Sequence, residues 1–158
     1  MPQQTNSRIA GGTIYPFTFI QRFVGTIPTT LAASTPVPPE LLCLQATGAG
    51  VEILGICQEW TNAPNGLIGQ TAGVNVPAAT VGQPLVVYGD GAETIIMVGS
   101  GYNVVVDDDL TSDASGNAIP ANVATSSTQW LGARALENGN AGNPIRVTVV
   151  LRGPYKAT

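Results

Sequence analysis

Apolar and polar positions alternate with a period of two along most of this chain, in short runs set off by glycine-rich or small-polar punctuation. Over residues 17–24 (FTFIQRFV), Phe17, Phe19 and Phe23 share a face with Gln21, and Thr18, Ile20, Arg22 and Val24 share the other. That spacing predicts a strand. All three phenylalanines lie in it, so it should anchor a core or an interface. Residues 144–152 (PIRVTVVLR) are the best amphipathic strand of the chain. Ile145, Val147, Val149 and Leu151 face one way, Arg146, Thr148 and Arg152 the other, and Val150 is the exception. Between residues 81 and 121, apolar runs at 85–88, 95–98 and 104–106 alternate with Gly or Asp/Ser/Asn turns, which predicts antiparallel β-structure. Asp113-Ala114-Ser115-Gly116-Asn117 reads as a reversal between two β-prone arms. The runs 41–46 and 51–57, joined by Thr47-Gly48-Ala49-Gly50, predict a hairpin. Residues 129–136 suit either a strand or a short helix. Helical periodicity is weak throughout, and there is no internal repeat.

Residues 1–16 are polar and end at Tyr15-Pro16, which predicts an extended N-terminal arm followed by a single β-rich domain over 17–158. A polar arm has too little apolar surface to offset its ordering entropy. It is therefore expected to become ordered against another chain, with Arg8 and Tyr15 as anchors. The stretches 26–40, 62–80 and 138–143 read as irregular connections. The fold class predicted is mainly β, a β-sandwich, jelly-roll or β-tulip-like domain with long irregular loops.

Composition changes the picture in one respect. Charged residues are 10% of the 158, against about 25% in an ordinary soluble domain, while hydrophobic residues are 44%. Such a surface is either rich in uncharged polar groups or covered by partners. The formal net charge is −4 and five of the six basic residues are arginine. Clustered Lys/Arg of the kind that neutralises phosphates is lacking, which argues against nucleic acid as a partner. Arginine is favoured at protein interfaces, where its planar fork binds with little desolvation. No basic residue lies between Arg22 and Arg134, an interval that holds most of the acids, so the fold should be electrostatically polar. The N-terminal stretch has no apolar signal-peptide core, and no run approaches the roughly 18–20 apolar residues of a membrane span. Synthesis in a cytoplasm without secretion is expected.

Candidate chemistry is sparse. Without histidine, Ser-His-Asp and Cys-His mechanisms are excluded, and no nucleophile-elbow or phosphate-loop motif occurs. Asp107, Asp108 and Asp109, with Asp113 nearby, are either a hard-cation site or a solvated strand end. Cys43 and Cys57 sit in apolar runs and read as buried thiols, with a disulfide as the alternative. Trp60 and Trp130 are packing residues, interface anchors or a carbohydrate platform. No enzymatic activity, cofactor or metal is expected. The interface candidates are Arg8, Tyr15, Phe17, Phe19, Arg22, Trp60, Trp130 and Arg134.

Residues 101–121, Gly101-Tyr102-Asn103-Val104 through Asp109-Leu110-Thr111-Ser112-Asp113-Ala114-Ser115-Gly116-Asn117-Ala118-Ile119-Pro120-Ala121, are followed by WLGARAL (130–136) and a closing strand at 145–151. From Val81 to the C-terminus, about half the chain, this resembles the capsid cement, or decoration, proteins of tailed bacteriophages. The resemblance implies a β-rich virion protein, often trimeric, on the outer surface of a phage head. Such proteins bridge neighbouring major capsid proteins at local three-fold positions and hold the shell against the pressure of packaged DNA. They need no cofactor and bind neither nucleic acid nor membrane. The alternative is a tail-fibre or baseplate β-domain that binds host glycans.

Overall fold

The computed structural model describes residues 5–32, 37–57, 77–123 and 128–156. It is mainly β. Five strands, β1 (Thr5–Ala10), β2 (Thr18–Arg22), β3 (Leu42–Gln45), β4 (Ile53–Cys57) and β5 (Pro84–Tyr88), close into a small barrel in the order β1-β3-β2-β4-β5. β1 and β3 run parallel, and every other barrel pair is antiparallel. The remaining strands follow as β6 (Glu93–Met97), β7 (Asn103–Val104), β8 (Asp109–Ser112), β9 (Ala118–Pro120), β10 (Thr128–Ala135), β11 (Gly139–Asn140) and β12 (Pro144–Lys156). Five of them form an antiparallel sheet in the order β6-β12-β10-β8-β9, and β7 pairs with β11. The sheet curls until its outer strands touch through a bridge between Val98 and Ala118. Helix is confined, among the described residues, to α1 (Thr29–Ala32) and two single 3-10 turns, and no helix is long and apolar enough to cross a membrane.

The barrel and the sheet share one core. Phe19, Ile53 and Ile56 from the barrel are buried with Ile96, Leu110, Ala133, Val147 and Val149 from the sheet. A second, smaller cluster fills the barrel itself, with Ile20, Leu85 and Val87 beside Cys43, Cys57 and small alanines. A five-stranded barrel has room inside for little more than that. β2 is therefore buried on both faces: Phe19 points into the shared core and Ile20 into the barrel. Gly132 on β10 makes this packing feasible, since a Cβ there would lie 2.4 Å from the Phe19 ring.

Three expectations are corrected. Within the segment expected as an arm, Thr5–Ala10 form a barrel strand that pairs with both β3 and β5, and Ile14 is fully buried. Residues 41–57 are not a hairpin, because β2 lies between β3 and β4 and pairs with each. Residues 17–24 form a shorter strand than expected, since Phe17 takes a positive φ of 61° that ends the pleat. The ambiguous 129–136 stretch is strand, and the alternation of β12 is as read, with Ile145, Val147 and Val149 buried.

Candidate interaction surface

Arg8 and Arg22 flank the start of β3 from opposite sides. Ile9 stands beside Leu42 in the parallel β1–β3 pair, and Arg22 stands opposite Cys43 in the antiparallel β2–β3 pair. Beyond these pairs Leu41 stands in the 3-10 turn Pro39–Leu41 that precedes β3, and Val24 follows the end of β2. Arg8 donates to the backbone carbonyl of Glu40. Arg22 Nε lies 3.1 Å from Glu52 Oε2, a solvent-exposed pair that contributes about 0–1 kcal/mol. Leu41 is 38% and Val24 75% exposed, so the segments next to these strand ends carry apolar surface.

Tyr15, Phe17 and the Asp113–Asn117 turn meet at another joint. The turn is not a free surface reversal. Asp113 Oδ1 accepts from Ser115 N at 2.8 Å and Asn117 N at 2.9 Å, which stiffens it, and its carbonyls then reach the barrel. Gly116 O accepts Phe19 N at 2.7 Å, and Ser115 O accepts Gln45 Nε2 at 2.6 Å. Gln45 Oε1 in turn accepts Tyr15 N at 2.9 Å. Phe17 donates its N–H to Cys57 O and accepts from Met97 N, joining barrel to sheet. Of the interface candidates, Phe19 is fully buried and is a core residue. Trp130 is half-buried against the core, its ring over Gly153. Trp60 lies outside the described residues. Tyr15 remains half-exposed.

Arg134 pairs with Asp109 at 2.9 Å, beside a tip that the sequence reading missed. Val105 and Val106, expected as strand, lie beyond the end of β7 and are 56% and 47% exposed. Their backbone N–H groups are both hydrogen-bonded. Val105 N donates to Asp108 Oδ2, Val106 N to Asn138 Oδ1, and Asp107 N to Ala135 O. Asp107 takes the left-handed conformation, φ 71°, which few non-glycine residues other than Asn and Asp adopt readily. Nearby, the backbone N–H and then the guanidinium of Arg146 hold the Glu137 carboxyl below its ordinary range. The aspartates are thus engaged separately, one as an ion-pair partner and one as a backbone acceptor. Among the described residues no His/Cys/Asp/Glu group is arranged to hold a metal.

Cys43 and Cys57 are buried free thiols. Burial, then the neighbouring Cys57, push the Cys43 thiol from 9.0 up to about 12, with Arg8 opposing. A thiol kept protonated is a poor nucleophile. Among the described residues the surface carries exposed apolar groups and separately paired charges.

No protein-family model matches the chain, and no curated protein does. Among solved structures, the chain is similar to the N base of the head fiber gp8.5 of bacteriophage phi29, with a TM-score of 0.50 and 13% identity over 98% of each chain. At that identity the likeness is one of fold.

Proposed function

We propose that this protein is a non-enzymatic structural component of a phage virion, bound to the outer surface of the head. It attaches to the major capsid protein and bridges neighbouring copies as a homotrimer at local three-fold positions, adding to the stability of the shell. The observation that carries the reading is the shared fold, over nearly the full length of both chains, with a phage head fiber base. The cement-protein resemblance of the C-terminal half points the same way from independent features. The surface supports it too, with exposed apolar residues and arginines on the same body. Bridging lets individually weak contacts add through effective concentration on a fixed lattice.

The test is to incubate purified full-length protein with heads that lack it and image them. Saturable density on the outside of the shell, in sets of three, is the expected result, with greater resistance of filled heads to heat. Heads left bare at saturating protein, or glycan binding on an array in place of shell binding, would overturn the assignment.

A further inference from the structure

Two demands of the fold meet at Asn138-Gly139, and together they write a chemically labile dipeptide. At position 139 the packing admits no side chain. Gly139 stands in β11 opposite Val104, and a Cβ there would run into Ile145 Cγ2 and press on Val98. At position 138 the tip calls for an acceptor, because Asn138 Oδ1 takes the N–H of Val106 at 2.8 Å. A carboxylate would accept as well. It would, however, follow Glu137 directly and face the segment that carries Asp107 and Asp108, so like charges oppose it. An uncharged carboxamide followed by glycine satisfies both demands. That pair is among the most prone to lose ammonia, since glycine leaves its own backbone nitrogen unhindered. Asn138 is also exposed, so water reaches it.

We propose that Asn138-Gly139 is a site of spontaneous deamidation, held back while the tip is closed by the Val106–Asn138 bond and the β7–β11 pairing. In the reaction Gly139 N gives up its proton and attacks Asn138 Cγ. A new N–C bond closes a succinimide ring, the Cγ–Nδ2 bond breaks, and the amide nitrogen leaves with the proton as ammonia. Water then opens the ring at one carbonyl or the other, giving aspartate or isoaspartate. Nothing is oxidised or reduced. The closed tip withholds both partners of the ring closure. Asn138 Oδ1 is committed to Val106, and Gly139 is packed against Ile145 in a paired strand. The reaction therefore runs from a locally opened tip, and its rate reports how often the tip opens. Its products keep the tip open. Isoaspartate adds a methylene to the main chain just ahead of β11 and upsets the Gly139–Val104 register. Aspartate adds a negative charge next to Glu137.

The test is to age the full chain in mildly alkaline buffer, folded and in urea, and to map amide-to-acid conversion by peptide mass spectrometry. Enzymatic methylation detects isoaspartate. Cleavage after Arg134 and Arg146 separates Asn138 from Asn65-Gly66, the other such pair in the sequence. Asn138 converts in urea, and at least about tenfold more slowly in the folded protein. Hydrogen exchange at the Val106 amide gives an independent readout, and the slowing at Asn138 is at least as large as the protection of that amide. Val106→Pro removes the donor and raises the folded-state rate by at least about threefold, with circular dichroism checking that the variant folds. Asn138→Asp, the mimic of one product, speeds exchange at the Val105 and Val106 amides. Equal rates in the folded protein and in urea, or no conversion of Asn138 in urea, would overturn the proposal. So would a slowing smaller than the Val106 protection, or a folded Val106→Pro that reacts like wild type. If Val106→Pro does not fold, the wild-type comparison of slowing with protection decides alone. Unchanged exchange in Asn138→Asp would reject the loosening by charge.

Discussion

Cys43 shows how one side chain ties the barrel interior to pH. It is fully buried between Ile9, whose carbonyl accepts from its Sγ at 3.6 Å, and the rest of the barrel cluster. Burial favours the neutral thiol, so the folded value of about 12 stands above the ordinary 9.0. The unfolded chain therefore loses this proton first as pH rises. Stability from this group is complete below about pH 9 and falls between there and pH 12, with a slope of about 1.4 kcal/mol per pH unit. Urea unfolding at stepped alkaline pH is expected to show a drop in wild type that is shallower in Cys43→Ala. Parallel profiles for the two proteins would contradict the burial argument. The same residue should resist thiol reagents in the native state and react once unfolded.

At the scale of elements, β1 decides the barrel. Its sequence TNSRIA carries almost no strand signal, because its first three residues are exposed and burial grows only toward Ala10. Pairing with β3 and β5, far along the chain, is what makes it a strand, and local periodicity cannot report that. β12 was legible because one face meets the core and the other meets solvent over most of its length. β2 was legible as a strand but not as a doubly buried one, since Thr18 and Gln21 are buried polar residues. The β3–β4 hairpin failed because a tempting Gly-rich link cannot reveal a third strand between its arms. On the surface, the exposure of Val105 and Val106 was not legible, because the apolar run 104–106 reads as strand interior although β7 ends at Val104. Deleting residues 1–10 should now unfold the barrel. It would strip β3 and β5 of a partner and expose Leu85 and Cys43, costing several backbone hydrogen bonds of about 1 kcal/mol each besides the apolar burial. A truncated protein with native near-UV circular dichroism and an unchanged urea midpoint would restore the reading of this segment as a dispensable arm.

For the molecule as a whole, the layers should not unfold separately. Phe19, Ile53 and Ile56 belong to the barrel, yet their burial depends on Gly132, Leu110 and Val147 of the sheet. The Asp113–Asn117 turn and the Phe17 backbone add polar ties across the same joint. Removing either layer would leave the other with a large apolar face in water, at roughly 25 cal/mol for each Å² exposed. Neither layer therefore has a stable state of its own, and opening one costs the global unfolding free energy. Native-state hydrogen exchange is the measurement. The slowest amides of β2 and β4 should exchange with the same free energy as those of β10 and β12. Phe19→Ala should lower both sets together, by about 3–5 kcal/mol. Barrel amides that exchange at a clearly lower free energy than sheet amides, or a substitution felt in one layer alone, would show two units rather than one. A single cooperative body also suits the proposed role. A protein that bridges capsid subunits transmits load between its contacts only if no softer joint yields first.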